Sequence, residues 1–228
     1  MKFYQVGLEA CAEATGLVVI VDVIRAFTTA AYAFGAGAAK IILVSTVEEA
    51  LAHKQLDPEM VLIGEVNGLP PAGFDFGNSP TEIAAQELRG ATIVQRTGAG
   101  TQGAVRSVRA DRLLAASFCV ASAAAEYIRL AALEDTTFVI SGMDETGRGD
   151  EDRACAEYIQ ALVEAGAPDP APFIRRVFES RDAAMHLDPA QPQFPASDLE
   201  YCTRIDQFEF AMPIARADGQ LVMRAVKP

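Results

Sequence analysis

The chain has 228 residues, 50% of them hydrophobic and 22% charged, enough apolar material for a substantial core, which excludes a disordered or fibrous protein. Its 19 Lys and Arg against 31 Asp and Glu give a net charge of −12, which repels phosphate backbones and anionic bilayers, so nucleic acid is not an expected partner. The longest apolar run, Leu17 to Val21, falls far short of the roughly 20 residues of a membrane span, and Glu9 and Glu13 stand where a secretion signal would be apolar. No membrane segment and a cytoplasmic location are expected. Cys11, Cys119, Cys155 and Cys202 are scattered without a CxxC pair, the pattern of reduced structural thiols.

In chain order, short β-branched runs alternate with Ala-rich helical stretches. The pattern predicts a strand over 17–21, a helix over 28–35, a strand over 40–44, a helix over 47–54 and a strand over 61–64. A long Gly- and Pro-rich loop follows, closed by Ser79 as N-cap, Pro80 at the first helical position and Glu82 reaching back as a capping box. Strands over 92–95, 112–115 and 137–141 and helices over 122–133 and 152–165 continue the alternation. Beyond residue 166, six prolines interrupt one helix, and the alternation in RIDQFEFAMPI predicts a mixed or edge strand. The expected fold is one α/β domain over 1–228, with three α/β/α layers and a largely parallel or mixed central sheet. A weak repeat lays the segment from Leu17 over the segment from Ala91, suggesting duplicated halves at about 17–90 and 91–166 and a tail at 167–228.

In such a sheet, ligands bind at the carboxyl ends of the strands. After the first predicted strand come Asp22, suited to a hard cation, and Arg25, Thr28 and Thr29, suited to an oxyanion or simply to capping a helix. The long loop carries Glu65, Asn67, Asp75, Asn78 and Ser79, and a connection of that length in a compact domain usually has a function. Gly98, Gly100 and Gly103 spell GxGxxG, but the next strand ends without an acid for a ribose; a phosphate or sulfonate contact helped by Arg96, Thr97 and Thr101 uses that backbone better. Asp144, Glu145, Asp150, Glu151 and Asp152 crowd the last loop. One or two of them, converging with Asp22 and Glu65, would make the oxygen-rich site that Mg²⁺ prefers. No GxSxG elbow occurs and His53 and His186 sit in no motif, which disfavours serine hydrolase chemistry.

DVIRAFTTA at Asp22, GEVNGLPPAGFDFGNSP at Gly64, TGAGT at Thr97, ASFCVASA at Ala116 and EDRACAEYI at Glu151 together resemble the 2-phosphosulfolactate phosphatase, or ComB-like, family. The resemblance runs from about Leu17 to Gly166 and more loosely through the tail. It implies a Mg²⁺-dependent phosphomonoesterase converting 2-phospho-3-sulfolactate to 3-sulfolactate and phosphate, a step toward coenzyme M. Alternatives are a phosphatase for another small phosphorylated acid and a non-catalytic anion-binding protein. On this reading Asp22, Glu65 and Asp152 hold the ion, Arg25, Thr28, Asn78 and Ser79 grip the anion, and Glu65 and Asp75 are candidates for moving the proton. The chain departs from the family pattern at Val66, where a basic residue is expected, and at Ala99 and Val120, where Asn is expected. The Ala-rich helices suit close packing, within the monomer or at a homodimer face.

Overall fold

The computed structural model describes residues 1–143 and 148–228; Asp144 and Glu145 lie outside the described residues. Strands β1 (Lys2–Gly7), β2 (Leu17–Val21), β3 (Lys40–Leu43), β4 (Val61–Gly64), β5 (Thr92–Arg96), β6 (Arg112–Ala116), β7 (Asp135–Ile140), β8 (Met212–Ala217) and β9 (Gln220–Met223) form one sheet. Its order is β1-β7-β2-β6-β8-β9-β3-β5-β4. All pairings are parallel except those made by β8 and β9. The helices are α1 (Ala26–Gly35), α2 (Val47–Leu56), α3 (Pro80–Ala84), α4 (Gly100–Arg106), α5 (Ala121–Ala131), α6 (Asp150–Ala165), α7 (Ala171–Glu179), α8 (Ala183–Leu187) and α9 (Ser197–Cys202).

The strands read as continuous apolar runs because both faces are covered. All of LVVIV in β2 is buried, with Val18 and Ile20 in the core beneath α1, α3 and α4, and Leu17, Val19 and Val21 in the core against α5 and α6. A separate cluster of Ile42, Val44, Ala50, Leu62 and Val94 lies under α2. The three layers and mostly parallel sheet are thus as the alternation implies.

The tail contains three helices rather than one, and of the two strand placements expected the mixed one holds: β8 and β9 run antiparallel in the middle of the sheet, not at an edge, β8 pairing with β6 and β9 with β3. The alternation in RIDQFEFAMPI misleads because Phe208 and Phe210 do not pair in the sheet. They pack edge-on against Tyr32 and Phe34 of α1 at ring distances of 5.0 and 5.9 Å, so the strand begins only at Met212. The N-terminal strand β1 goes unanticipated because KFYQVG is a half-exposed edge strand.

Matching β2, β3 and β4 to β5, β6 and β7 leaves the strand order unchanged when it is read in reverse: β7-β2-β6 becomes β4-β5-β3. Each three-stranded block takes its middle strand from the other half of the chain, and the β8–β9 hairpin joins the blocks. The two segments are therefore interleaved rather than side by side.

Candidate active site

The loops after β2, β4, β5 and β7 converge on a cavity of about 370 Å³. Five strand positions separate β2 from β5, about 24 Å in a flat sheet, yet the start of α4 lies against the Asp22 carboxylate. Glycine permits this contact. A Cβ on Gly100 would stand 2.8 Å from Asp22 Oδ2 and 2.9 Å from the Ala26 Cβ, and one on Gly103 would stand 2.8 Å from Ile20. Two glycines of the GxGxxG string thus serve close packing of α4 on β2. Gly100→Ala is expected to cost about 1–3 kcal/mol of stability and to displace Asp22, lowering turnover together with the melting temperature; unchanged values of both would refute this packing.

The backbone around the cavity repeats itself. Ala26 N donates to Asp22 Oδ1 at 2.9 Å, and Thr101 N donates to Thr97 Oγ1 at 3.0 Å, each residue following its strand and capping the next helix. Val23 N donates to Asp152 Oδ1 at 2.7 Å, and Gly98 N donates to Glu65 Oε1. The second oxygens of these acids accept from Gly142 N at 3.0 Å and Gly68 N at 2.7 Å. Glu65 and Asp152 therefore hold the loops in place while facing the cavity.

Carboxyl groups crowd this wall, and their burial favours the protonated forms. Burial, reinforced by Glu65, pushes the Asp22 carboxyl up to about 7. Burial pushes Glu151 up to about 7 as well, and raises Asp152 well above the usual carboxylate range with Glu151 and Asp22 adding to the effect. Glu151 Oε2 is buried without a hydrogen-bond partner. Opposite stand Arg25, Arg148, Asn78 and His186. The Arg25 guanidinium pairs with Asp198 at 2.9 Å, donates to the Gly68 carbonyl at 3.2 Å and lies 5.2 Å from the Phe194 ring centroid. Asn78 is 6% exposed, and its Oδ1 has no partner. Burial lowers the His186 pKa, and its Nδ1 lies 3.1 Å from the Pro195 carbonyl; a neutral ring protonated at Nδ1 satisfies that contact.

Of the residues singled out in the sequence, Asp22, Arg25, Glu65, Asn78, Thr97, Gly98, Glu151 and Asp152 line the cavity, whereas Thr28, Thr29, Asn67, Asp75, Ser79, Arg96 and Thr101 do not. Asp75 accepts from Lys54 at 2.5 Å and from Leu62 N at 2.8 Å, stapling the long loop to α2 and β4 away from the cavity lining. Thr28 Oγ1 donates to the Val23 carbonyl at 2.8 Å, and Thr29 is buried in α1. Asn67 occupies a turn with φ 53°. Arg96 donates to the Ser45 and Glu65 carbonyls, and Thr101 closes the Thr97 cap. Ser79 does cap α3, accepting from Glu82 N at 3.2 Å, but the Glu82 side chain takes Gly77 N instead of completing a box. Among the family departures only Ala99 lines the cavity; Val120 is core, and Val66 lies on an exposed turn.

Sequence reasoning did not select Glu151 over its acidic neighbours, and it missed Asp182, Met185, His186 and Phe194, which the tail brings to the same cavity. The one available signal was Arg25, a buried cation in want of an acid. All four cysteines are buried and free. Among the described residues, no helix is long and apolar enough to cross a membrane, and no three His, Cys, Asp or Glu side chains are grouped closely enough to form a metal cage.

Buried acids sharing a cavity with the buried Arg25 at the carboxyl ends of a mostly parallel sheet define an α/β enzyme for a small anionic substrate. The chain belongs to the 2-phosphosulpholactate phosphatase family, and so to the phosphoric monoester hydrolases: the family model matches residues 6–216. Similar proteins include a probable 2-phosphosulfolactate phosphatase of Bacillus subtilis (strain 168), 36% identical and covering 89% of this chain and 88% of the relative. Proteins of the same description from Thermus thermophilus and Thermotoga maritima are each 34% identical, over 88% of both chains and over 84% and 86% respectively.

Proposed function

We propose that this chain hydrolyses 2-phospho-3-sulfolactate to 3-sulfolactate and phosphate with the aid of Mg²⁺. The observation that carries the reading is the apposition, in one cavity, of the buried Asp22 carboxyl, the fixed Arg25 guanidinium and the buried Asn78 side chain. A phosphomonoester dianion needs its charge met, its phosphorus aligned and a proton moved.

The donor set suits Mg²⁺ held largely through water. Asp22, Glu65 and Asp152 commit oxygens to backbone amides, but each oxygen keeps a further lone pair, and this ion characteristically takes few protein ligands and retains several waters. The partnerless Glu151 oxygen is a further donor. When bound, the ion would neutralise phosphate charge and offset the repulsion among these acids.

The chain's own groups divide the remaining work. Arg25 and, through its Nδ2, Asn78 grip anionic oxygens. Asp22, raised to about 7 by its surroundings, is matched to proton exchange near neutral pH. Phosphate release from 2-phospho-3-sulfolactate, measured with Mg²⁺ and with a chelator, tests the proposal. Release is expected with the ion and near-complete loss with the chelator, and phospholactate is expected to react more slowly. Equal rates with and without the ion would discard its role.

A further inference from the structure

Arg25 does not hold its position alone. Its Nη1 lies 2.9 Å from Asp198 Oδ2, and both side chains are almost wholly buried, at 6% and 0% exposure. The other oxygen of Asp198 accepts from Ser79 Oγ at 2.6 Å and from Thr81 N at 3.2 Å. One carboxylate on α9 therefore ties together the start of α1, which carries Arg25, and the start of α3, which follows Asn78. The second guanidinium nitrogen is anchored on the Gly68 carbonyl, and Phe194 backs the plane. His186 Nδ1, 4.0 Å from Asp198 Oδ2, is already satisfied by the Pro195 carbonyl and leaves the acid to Arg25.

A buried ion pair contributes little net stability, because desolvating both charges offsets their attraction. It does fix geometry, since an arginine fork held on two edges cannot swing. We infer that Asp198, on the tail helix α9, is a positioning residue that aims the Arg25 guanidinium and, through Ser79, sets the Asn78 segment, so that the anion grip of this cavity is assembled by the C-terminal segment. The inference deepens the proposed phosphatase reading and rests on it for the identity of the anion, though not for the geometry.

A double-mutant cycle tests it. Arg25→Ala is expected to raise KM for 2-phospho-3-sulfolactate about 100-fold and Asp198→Asn about 10-fold, with smaller changes in kcat. The double variant is expected to be worse than Arg25→Ala alone by well under 10-fold, because Asp198 acts mainly through the group already removed and only its hold on Ser79 remains to be lost. Independent, multiplying effects would overturn the inference. Either single variant leaves one buried charge without its partner and can fail to fold, whereas the double variant removes the pair; the second measurement is made on variants whose circular dichroism and cooperative melting match wild type. Guanidinium ion is expected to restore turnover to Arg25→Ala and not to Arg25→Ala/Asp198→Asn. Equal rescue in both backgrounds, including none in either, overturns the inference. If wild type releases no phosphate from the sulfonated ester, the proposed function falls, and calorimetric binding of inorganic phosphate then decides this inference by itself. The same order of affinities upholds it; equal affinities in all variants overturn it.

Discussion

Asp22→Asn is expected to reduce phosphate release by about 1,000-fold or more while making the folded protein less sensitive to rising pH. Asn keeps an oxygen for Ala26 N but can neither exchange a proton nor carry charge. The sign of the stability effect follows from the raised carboxyl. A group near 3.8 when unfolded and about 7 when folded binds its proton more tightly in the native state. Its contribution to stability is fully present below about pH 4 and is lost as pH rises through 7, at a slope of up to about 1.4 kcal/mol per pH unit. Glu151 adds a second group with the same sign, whereas Asp150, held low by Arg176, works in the opposite sense. The melting temperature of Asp22→Asn minus that of wild type should therefore grow between pH 5 and pH 8, by roughly 5 °C or more for a chain of this size. A difference that stays flat across that range would mean that Asp22 does not bear a buried charge.

Ending the chain before Met212 should abolish the native state altogether, although this removes only one hairpin. Without β8 and β9 the sheet divides into β1-β7-β2-β6 and β3-β5-β4, each with a newly unpaired strand at its edge, and Met212, Ile214 and Met223 leave the core that runs beneath α1. Ile214→Asp probes the same point with a single buried charge and should cost at least about 4 kcal/mol. Circular dichroism and sedimentation would check both. A soluble, cooperatively melting truncated chain would show that the hairpin is an accessory rather than the joint between the blocks.

Much of the cavity's acidic lining was legible because its signal is local. Asp22 and Glu65 each stand at the carboxyl end of an apolar strand, where an acid has no reason to sit for packing alone, and Asp152 opens a helix that the spacing predicts. Asp75 shares the informative loop with Glu65, but that loop folds back along β4, so that Asp75 meets Lys54 and the Leu62 amide. Sequence spacing carries no information about such a return. Asp198 was beyond reach for a stronger reason: it meets Arg25 across 173 residues, and its surroundings, rich in proline and lacking periodicity, look like a surface connection. The central place of the tail strands was not legible because alternation reports which side of a strand is covered and not which neighbours it has. The exchange of middle strands between the β2–β4 and β5–β7 segments left no trace in the sequence.

The position of the β8–β9 hairpin has a consequence for synthesis. It emerges from the ribosome after the other seven strands, yet it occupies the centre of the finished sheet. A nascent chain can dock β2 onto β6 and β5 onto β3 early, but the seam between the two blocks stays open until the final stretch is released. Asp198 also follows the first seven strands, so a chain stalled before it would hold Arg25 without the buried carboxylate that fixes it.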